Sequence, residues 1–362
     1  MGVSPLVTHH YVARRLPPNS PPLPIDGDLN KPQWREVPWS TDFDDIRGDD
    51  APDGSRPSAA CRTRMKMRWD DEYLYVAALL ESDREVVASL TTRNAPIYQH
   101  DSDFEVFIDA ASSCHWYKEL EVNAINTVWN LMLSRPYMDG GEEYSGRVAT
   151  PDQPRFYEVF AQRSATRVLS GQLGDPRGAS WAVEIALAHS DTLVRLPGVA
   201  RPAPGALWRV NFSRVEEKGT INWVWAPQRV WEPTKERYEG KVNMHLPDAW
   251  GLVQFAPAEG ALALADPTSM ARQAAMSVYY AQAAYFEEHG EYAGRLDELR
   301  VDRALVDTFK VHIQRDSPTQ QCFSAIISPK CGEGKSIRIS HHRLVEEIDP
   351  PPSSSGEGEL SS

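Results

Sequence analysis

The run Asp103-Phe104-Glu105-Val106-Phe107-Ile108-Asp109 limits what this chain can fold into more than any other stretch. Phe104, Val106 and Ile108 fall on one side of an extended backbone; Asp103, Glu105, Phe107 and Asp109 fall on the other. A strict period of two predicts a half-buried β-strand whose apolar side faces a core. The other side carries carboxylates that a merely structural strand does not need. Function is therefore sought on that polar face, next to the loop signalled upstream by Pro96.

The same alternation recurs along most of the chain. Thr63, Met65, Met67 and Trp69 share a face, Asp70-Asp71-Glu72 makes a turn, and Tyr73 to Leu80 returns, which predicts a hairpin. Tyr117 to Ala124 places Leu120, Val122 and Ala124 on one side and Tyr117, Glu119, Glu121 and Asn123 on the other. Further strands are expected at 127–133, 155–170, Trp181–Leu187, Trp208–Arg214, Trp223–Trp225 and Trp250–Phe255. Strands in such number, with no amphipathic helix between them, predict a mainly β protein: an antiparallel β-sandwich, jelly-roll-like, over 25–257. Residues 1–24 are Pro-rich and read as an extended segment outside it.

The character changes after Pro257. Asp266 before Pro267 reads as a helix N-cap, and Met270–His289 as a helix that Gly290 stops. Ala275, Val278, Tyr279, Gln282, Tyr285 and Phe286 form a packing stripe at helical spacing. A short helix near 296–299 and strands near 309–315, 322–328 and 335–340 complete a small α+β extension over 258–348. The tail 349–362 has the composition of a disordered segment.

A net charge of −13 excludes nucleic acid as an expected partner, because phosphate binding needs clustered Lys and Arg. The one dense basic run, Arg62 to Arg68, alternates along a strand and is expected to pair with neighbouring acidic strands. Four cysteines are too few for a disulfide scaffold: Cys61 and Cys114 read as buried thiols, while Cys322 and Cys331 are placed either to close a hairpin or to stay reduced. No apolar run reaches the length of a membrane span, and no signal peptide is visible, so the expected location is cytoplasmic.

Several of these words occur together, and in the same order, in a known group. Ile25-Asp26-Gly27 with Trp34, Trp69-Asp70-Asp71-Glu72-Tyr73-Leu74-Tyr75-Val76, Asp101 to Asp109, Tyr117 to Asn123, Trp208 to Arg214 and Trp250-Gly251 resemble the carbohydrate-binding module family 9-like proteins, within the DOMON-like β-sandwich group. The resemblance implies a sugar end held on one sheet face by aromatic stacking and polar groups. By matching positions it points to Tyr98, Glu105, Glu121, Asn123 and His245 as carbohydrate-binding residues, and Trp225, beside the long Pro-containing loop from 226, is added as an available aromatic ring. The resemblance also implies structural calcium, with Asp101 and Asp103 as oxygen ligands of the right type. The chain departs from the pattern where sugar-binding members place two Trp: Ile97-Tyr98 and Met244-His245 stand there instead.

The leading expectation is non-catalytic carbohydrate binding. A glycoside hydrolase is the second reading, since Glu105, Glu119 and Glu121 could supply a carboxyl pair, although the chain has no room for a catalytic barrel beside the sandwich. Haem ligation by Met244 and His245 is disfavoured because adjacent residues cannot reach opposite axial positions. An interaction domain using the 270–289 helix is the fourth reading.

Overall fold

The computed structural model describes residues 9–18, 20–260, 266–315 and 321–349, so the expected tail lies outside the described residues from residue 350 onward. The described chain forms two compact units: residues 9–230 with 239–260, and residues 231–238 with 266–349.

The first unit is built on β1 (His10–Arg15), β2 (Asp44–Asp45), β3 (Thr63–Trp69), β4 (Tyr73–Leu80), β5 (Asp103–Asp109), β6 (Tyr117–Asn123), β7 (Val128–Leu133), β8 (Glu143–Tyr144), β9 (Arg163–Gly171), β10 (Ala179–Ala188), β11 (Leu207–Glu216), β12 (Ile221–Val224) and β15 (Gly251–Ala256); β13 (Arg229–Glu232) and β14 (Arg237–Gly240) pair as a separate ribbon whose residues 231–238 belong to the second unit. Its sheet runs β8-β7-β6-β5-β11-β15-β1-β3-β4-β10-β9, and β12 pairs with both β11 and β2. The sheet curls on itself as a sandwich does. Phe104, Val106 and Ile108 of β5 share one core with Met65 and Met67 of β3, Trp181 and Val183 of β10, and Trp208 and Phe212 of β11. Within it the Phe104 ring stacks on Phe43 and Phe212, with centroids 6.4 and 5.8 Å apart.

Three expectations need correction. Residues 10–15 do not lie outside the sandwich: β1 runs parallel between β15 and β3, and its Ala13 is fully buried. The basic face of β3 pairs with loops rather than with acidic strands. Arg68 meets Glu36, Arg64 meets Asp42, and Arg62 meets Glu81 just beyond β4, while Lys66 donates to the Trp34 carbonyl. The third correction bears on function. β5 is buried along its whole length, not on one side only, as are β6 and β7. Segments 84–102 and 241–250 cover the polar side, and a second apolar cluster forms there from Ile97, Phe107, Tyr117, Trp129, Leu131, Met244 and Trp250.

Two of the sequence words prove structural. Glu184 on β10 is fully buried, and its carboxylate accepts hydrogen bonds from Lys31 Nζ, Trp34 Nε1, and the backbone N–H groups of Asp26 and Gly27, at 2.5 to 3.0 Å. That clasp is the purpose of Ile25-Asp26-Gly27 and Trp34. Gly27 has φ of +78°, and a Cβ there would sit 2.9 Å from Arg167 Cβ, so only glycine fits. Gly251 is required for another reason: the Trp225 ring occupies the place of its missing Cβ, 2.4 Å away.

In the second unit, α3 (Ser269–His289) lies with α4 (Arg303–Val306) and an antiparallel sheet ordered β16 (Phe309–Arg315), β17 (Phe323–Pro329), β18 (Ser336–Ser340), β19 (Val345–Ile348). The N-cap is Thr268 rather than Asp266, whose carboxylate instead accepts from Thr268 N and Oγ1 at 2.9 and 2.8 Å. Gly290 ends the helix at φ of +74°, its N–H donating to the Phe286 carbonyl. Ala275, Val278, Tyr279 and Gln282 of the expected stripe are buried. Trp231 on the ribbon donates to the Arg300 carbonyl at 2.8 Å. All four cysteines are thiols, so Cys322 and Cys331 do not form a disulfide. Among the described residues no helix is long and apolar enough to cross a membrane.

Candidate functional site

The register of three strands assembles the acidic face. Glu105 lies directly opposite Glu121 on β6 and Ser213 on β11; Asp103 lies opposite Asn123 and Val215; Phe107 lies opposite Glu119 and Asn211. One oxygen each from Asp103, Glu105 and Glu121 falls within 4.8 Å of the others. These side chains belong to residues that are 0%, 4% and 1% exposed. Tyr98 N–H donates to Glu121 Oε2 at 3.3 Å, whereas the one donor near the Asp103 carboxyl is the poorly aligned backbone N–H of Val215. Burial, followed by repulsion between neighbours, pushes the Asp103, Glu119 and Glu121 carboxyls well above the ordinary range. Burial pushes Glu105 up to about 7.

Aromatic rings stand around this floor. Half-buried Tyr98 stacks on Trp129 with centroids 5.9 Å apart and planes 21° apart, and the Arg147 guanidinium lies 4.9 Å from the Trp129 ring centre. Tyr137 is 46% exposed and meets His245 edge-on at 4.7 Å. His245 Nδ1 lies 3.0 Å from the Tyr117 hydroxyl and 4.0 Å from Glu119 Oε2. Burial lowers its pKa to about 4, so the ring is neutral near pH 7. The Tyr137 hydroxyl is raised first by burial and then by Glu119 and Glu143, which places those carboxylates in its surroundings. Arg147 also feels Tyr98 and Tyr137, and it ion-pairs with Glu143. Two tyrosines, a neutral imidazole, a guanidinium and a carboxylate thus form a rim that combines apolar ring faces with hydrogen-bonding groups.

Of the residues singled out from the sequence, Tyr98, Glu105, Glu121 and His245 come together here, and the other two are used elsewhere. Asn123 Nδ2 donates to Leu90 O and Asp101 Oδ2 at 2.9 and 2.7 Å, and its Oδ1 accepts from Ile125 N and Thr127 N, so its amide closes a turn and pins a loop. Trp225 is 2% exposed and packs in the core against Phe212, with no face open to a ligand. Asp101 does not suit a cation: Oδ1 accepts from Ser89 N and Oγ, and Oδ2 from Leu90 N and Asn123, so both oxygens are committed. Sequence reasoning missed Tyr137 and Arg147. The only signal for them was an aromatic ring and a cation beside the Gly-rich segment 138–154, which carries no periodicity.

With this geometry in place, comparison with known proteins gives a family match over part of the chain. Residues 25–148 match the carbohydrate family 9 binding domain-like family. This family 9-like segment runs from the Glu184 clasp residues through β8 and includes Tyr98, Asp103, Glu105, Glu121, Tyr137 and Arg147; His245 lies beyond it. Among solved structures, a protein from Bacteroides uniformis ATCC 8492 is similar at 14% identity and a TM-score of 0.48, covering 69% of this chain and 100% of its own. A carbohydrate binding module family 9 protein from Caldicellulosiruptor kristjanssonii, solved with cellotriose and with glucose, is similar at 17% identity and a TM-score of 0.39, covering 71% of this chain and all of its own. Comparison with curated protein sequences gives no match.

Proposed function

We propose that the first unit binds a carbohydrate without catalysis, at the rim formed by Tyr98, Tyr137, His245 and Arg147. The observation that carries this reading is the rim itself, most of it within the family 9-like segment: ring faces beside a guanidinium and a carboxylate edge. Sugar rings present C–H faces that stack on aromatic side chains and hydroxyls that need charged or polar partners. Tyr137, with its 46% exposure, is the ring most open to an incoming ligand.

The same geometry argues against hydrolysis. Glu105 and Glu121 are a close pair with raised pKa values, as a glycosidase needs. The burial that raises them also shuts them in: at 4% and 1% exposure, beneath Ile97 and Tyr98, they leave no room for a glycosidic bond.

Thermal unfolding of the full chain against a panel of mono- and oligosaccharides tests the reading. At least one sugar is expected to raise the midpoint saturably, as mass action requires of a ligand that binds only the folded state. Tyr98→Ala should abolish the shift while the unliganded protein still unfolds cooperatively. A panel with no shift, or an unchanged shift in Tyr98→Ala, would remove the rim from consideration.

A further inference from the structure

We propose that the first unit carries a second binding site, for a neutral sugar, in a hollow of about 600 Å3 between the Pro-rich segment 17–22 and the turn joining β3 to β4. The inference rests on the carbohydrate reading for its ligand class, but its place owes nothing to the rim, none of whose residues lines the hollow. The rim stands over β5 to β7, toward one end of the strand order. The hollow lies beside β4 and β9, toward the other. Its shape is built in. Leu16 N–H donates to the Trp69 carbonyl at 2.8 Å, and Leu23 is fully buried, so the chain is anchored on both sides of the segment. Between these anchors Pro17, Pro18, Pro21 and Pro22 fix φ and offer no N–H, so the stretch cannot continue the ladder of β1. The floor is the outer side of β4. Tyr73 and Tyr75 lie there, opposite to Leu74 and Val76 in the core, with ring centres 5.8 Å apart.

The polar groups around the hollow decide the ligand. Two pairs are closed: the Tyr75 hydroxyl donates to Asp70 Oδ2 at 2.6 Å, and Arg15 ion-pairs with Asp71. One cation and one anion are left open. The Arg163 guanidinium lies 4.8 Å from the Tyr73 ring centre and donates to no group among the described residues; the exposed Glu72 carboxylate accepts from none. A ligand with a net charge would be opposed by one of these two. A neutral molecule rich in hydroxyls satisfies both, donating to Glu72 and accepting from Arg163. Its C–H faces would lie against proline and tyrosine rings, as those of a sugar can. The volume falls within the roughly 300–1,000 Å3 of small-ligand pockets, so the hollow has room for more than one sugar ring.

Calorimetric titration of the full chain with cellotriose, maltotriose and xylotriose tests this. At least one of them should bind twice per chain. Tyr137→Ala should leave the hollow's sugar alone, and Glu72→Ala combined with Arg163→Ala should leave the rim's. Glu72 and Arg163 are both exposed, so their double variant should keep the wild-type thermal midpoint. One sugar per chain that Tyr137→Ala abolishes, or a stoichiometry unchanged in the double variant, would overturn the hollow. One sugar per chain that survives Tyr137→Ala and is lost in the double variant upholds the hollow and sinks the rim. No heat with any sugar is contrary to both. In Tyr137→Ala, glucuronate or glucosamine bound as tightly as a neutral sugar would overturn the ligand class.

Discussion

Two buried acids, Glu184 and Asp103, show how differently one sheet can treat a carboxylate. Both are fully buried, yet Glu184 is saturated with donors while Asp103 faces only the backbone N–H of Val215. Replacing Glu184 by Leu would leave Lys31 to Asp26 and the Pro24 carbonyl but strand the buried Trp34 Nε1 and the Asp26 and Gly27 N–H groups, at a cost of about 1–3 kcal/mol. Denaturant unfolding checks this. Asp103→Asn should cost nothing, because it removes repulsion rather than a partner. The pH dependence has a definite sign. The carboxyls of Asp103, Glu105, Glu119 and Glu121 titrate higher in the folded than in the unfolded chain, so between about 4.5 and 7 the folded state binds more protons. Their contribution is fully present below the unfolded value and is lost as pH rises through the folded one. His245, lowered to about 4, works in the opposite direction below about 6.5, as do His9 and His189, which burial also lowers, and Lys118, lowered to about 7, opposes the carboxyls above that value. Compared with Glu105→Gln, whose amide does not titrate, the wild type should lose thermal stability as pH rises from 5.5 to 8, and a difference between the two that stays constant over that range would contradict the electrostatics.

At the scale of elements, the decisive feature is the loop 84–102 laid over β5 and β6. Asp101 is its fastener, receiving Ser89, Leu90 and Asn123. Asp101→Ala should leave those buried donors unmet, lower stability by about 1–3 kcal/mol and speed amide exchange at Ser89 and Leu90. Equal exchange in wild type and variant would show that the fastener is elsewhere. This loop also marks where sequence reading stops. The alternation in 103–109 and 117–124 was visible, and it correctly set Glu105 and Glu121 on the side away from Phe104 and Val106. What covers that side was not visible. Segments 84–102 and 241–250 have no period, and their contacts are made by single side chains such as Ile97 and Met244. For the same reason Trp225 could not be told from a binding residue until Phe212 and Gly251 were seen against it.

At the scale of the whole molecule, the curled sheet serves the rim by rigidity. β5, β6 and β11 lie well inside the strand order, paired on both sides, so the carboxylate floor cannot easily deform. The rim residues come from loops set on that frame, the usual division between a rigid scaffold and functional connections. Isothermal titration calorimetry of the full chain with the best sugar of the panel, beside Tyr137→Ala, tests the central claim most directly. Saturable binding by the wild type, weakened at least tenfold (about 1.4 kcal/mol) in a variant of unchanged thermal midpoint, is the predicted result. Binding of equal strength in Tyr137→Ala, or no heat with any sugar, would contradict it.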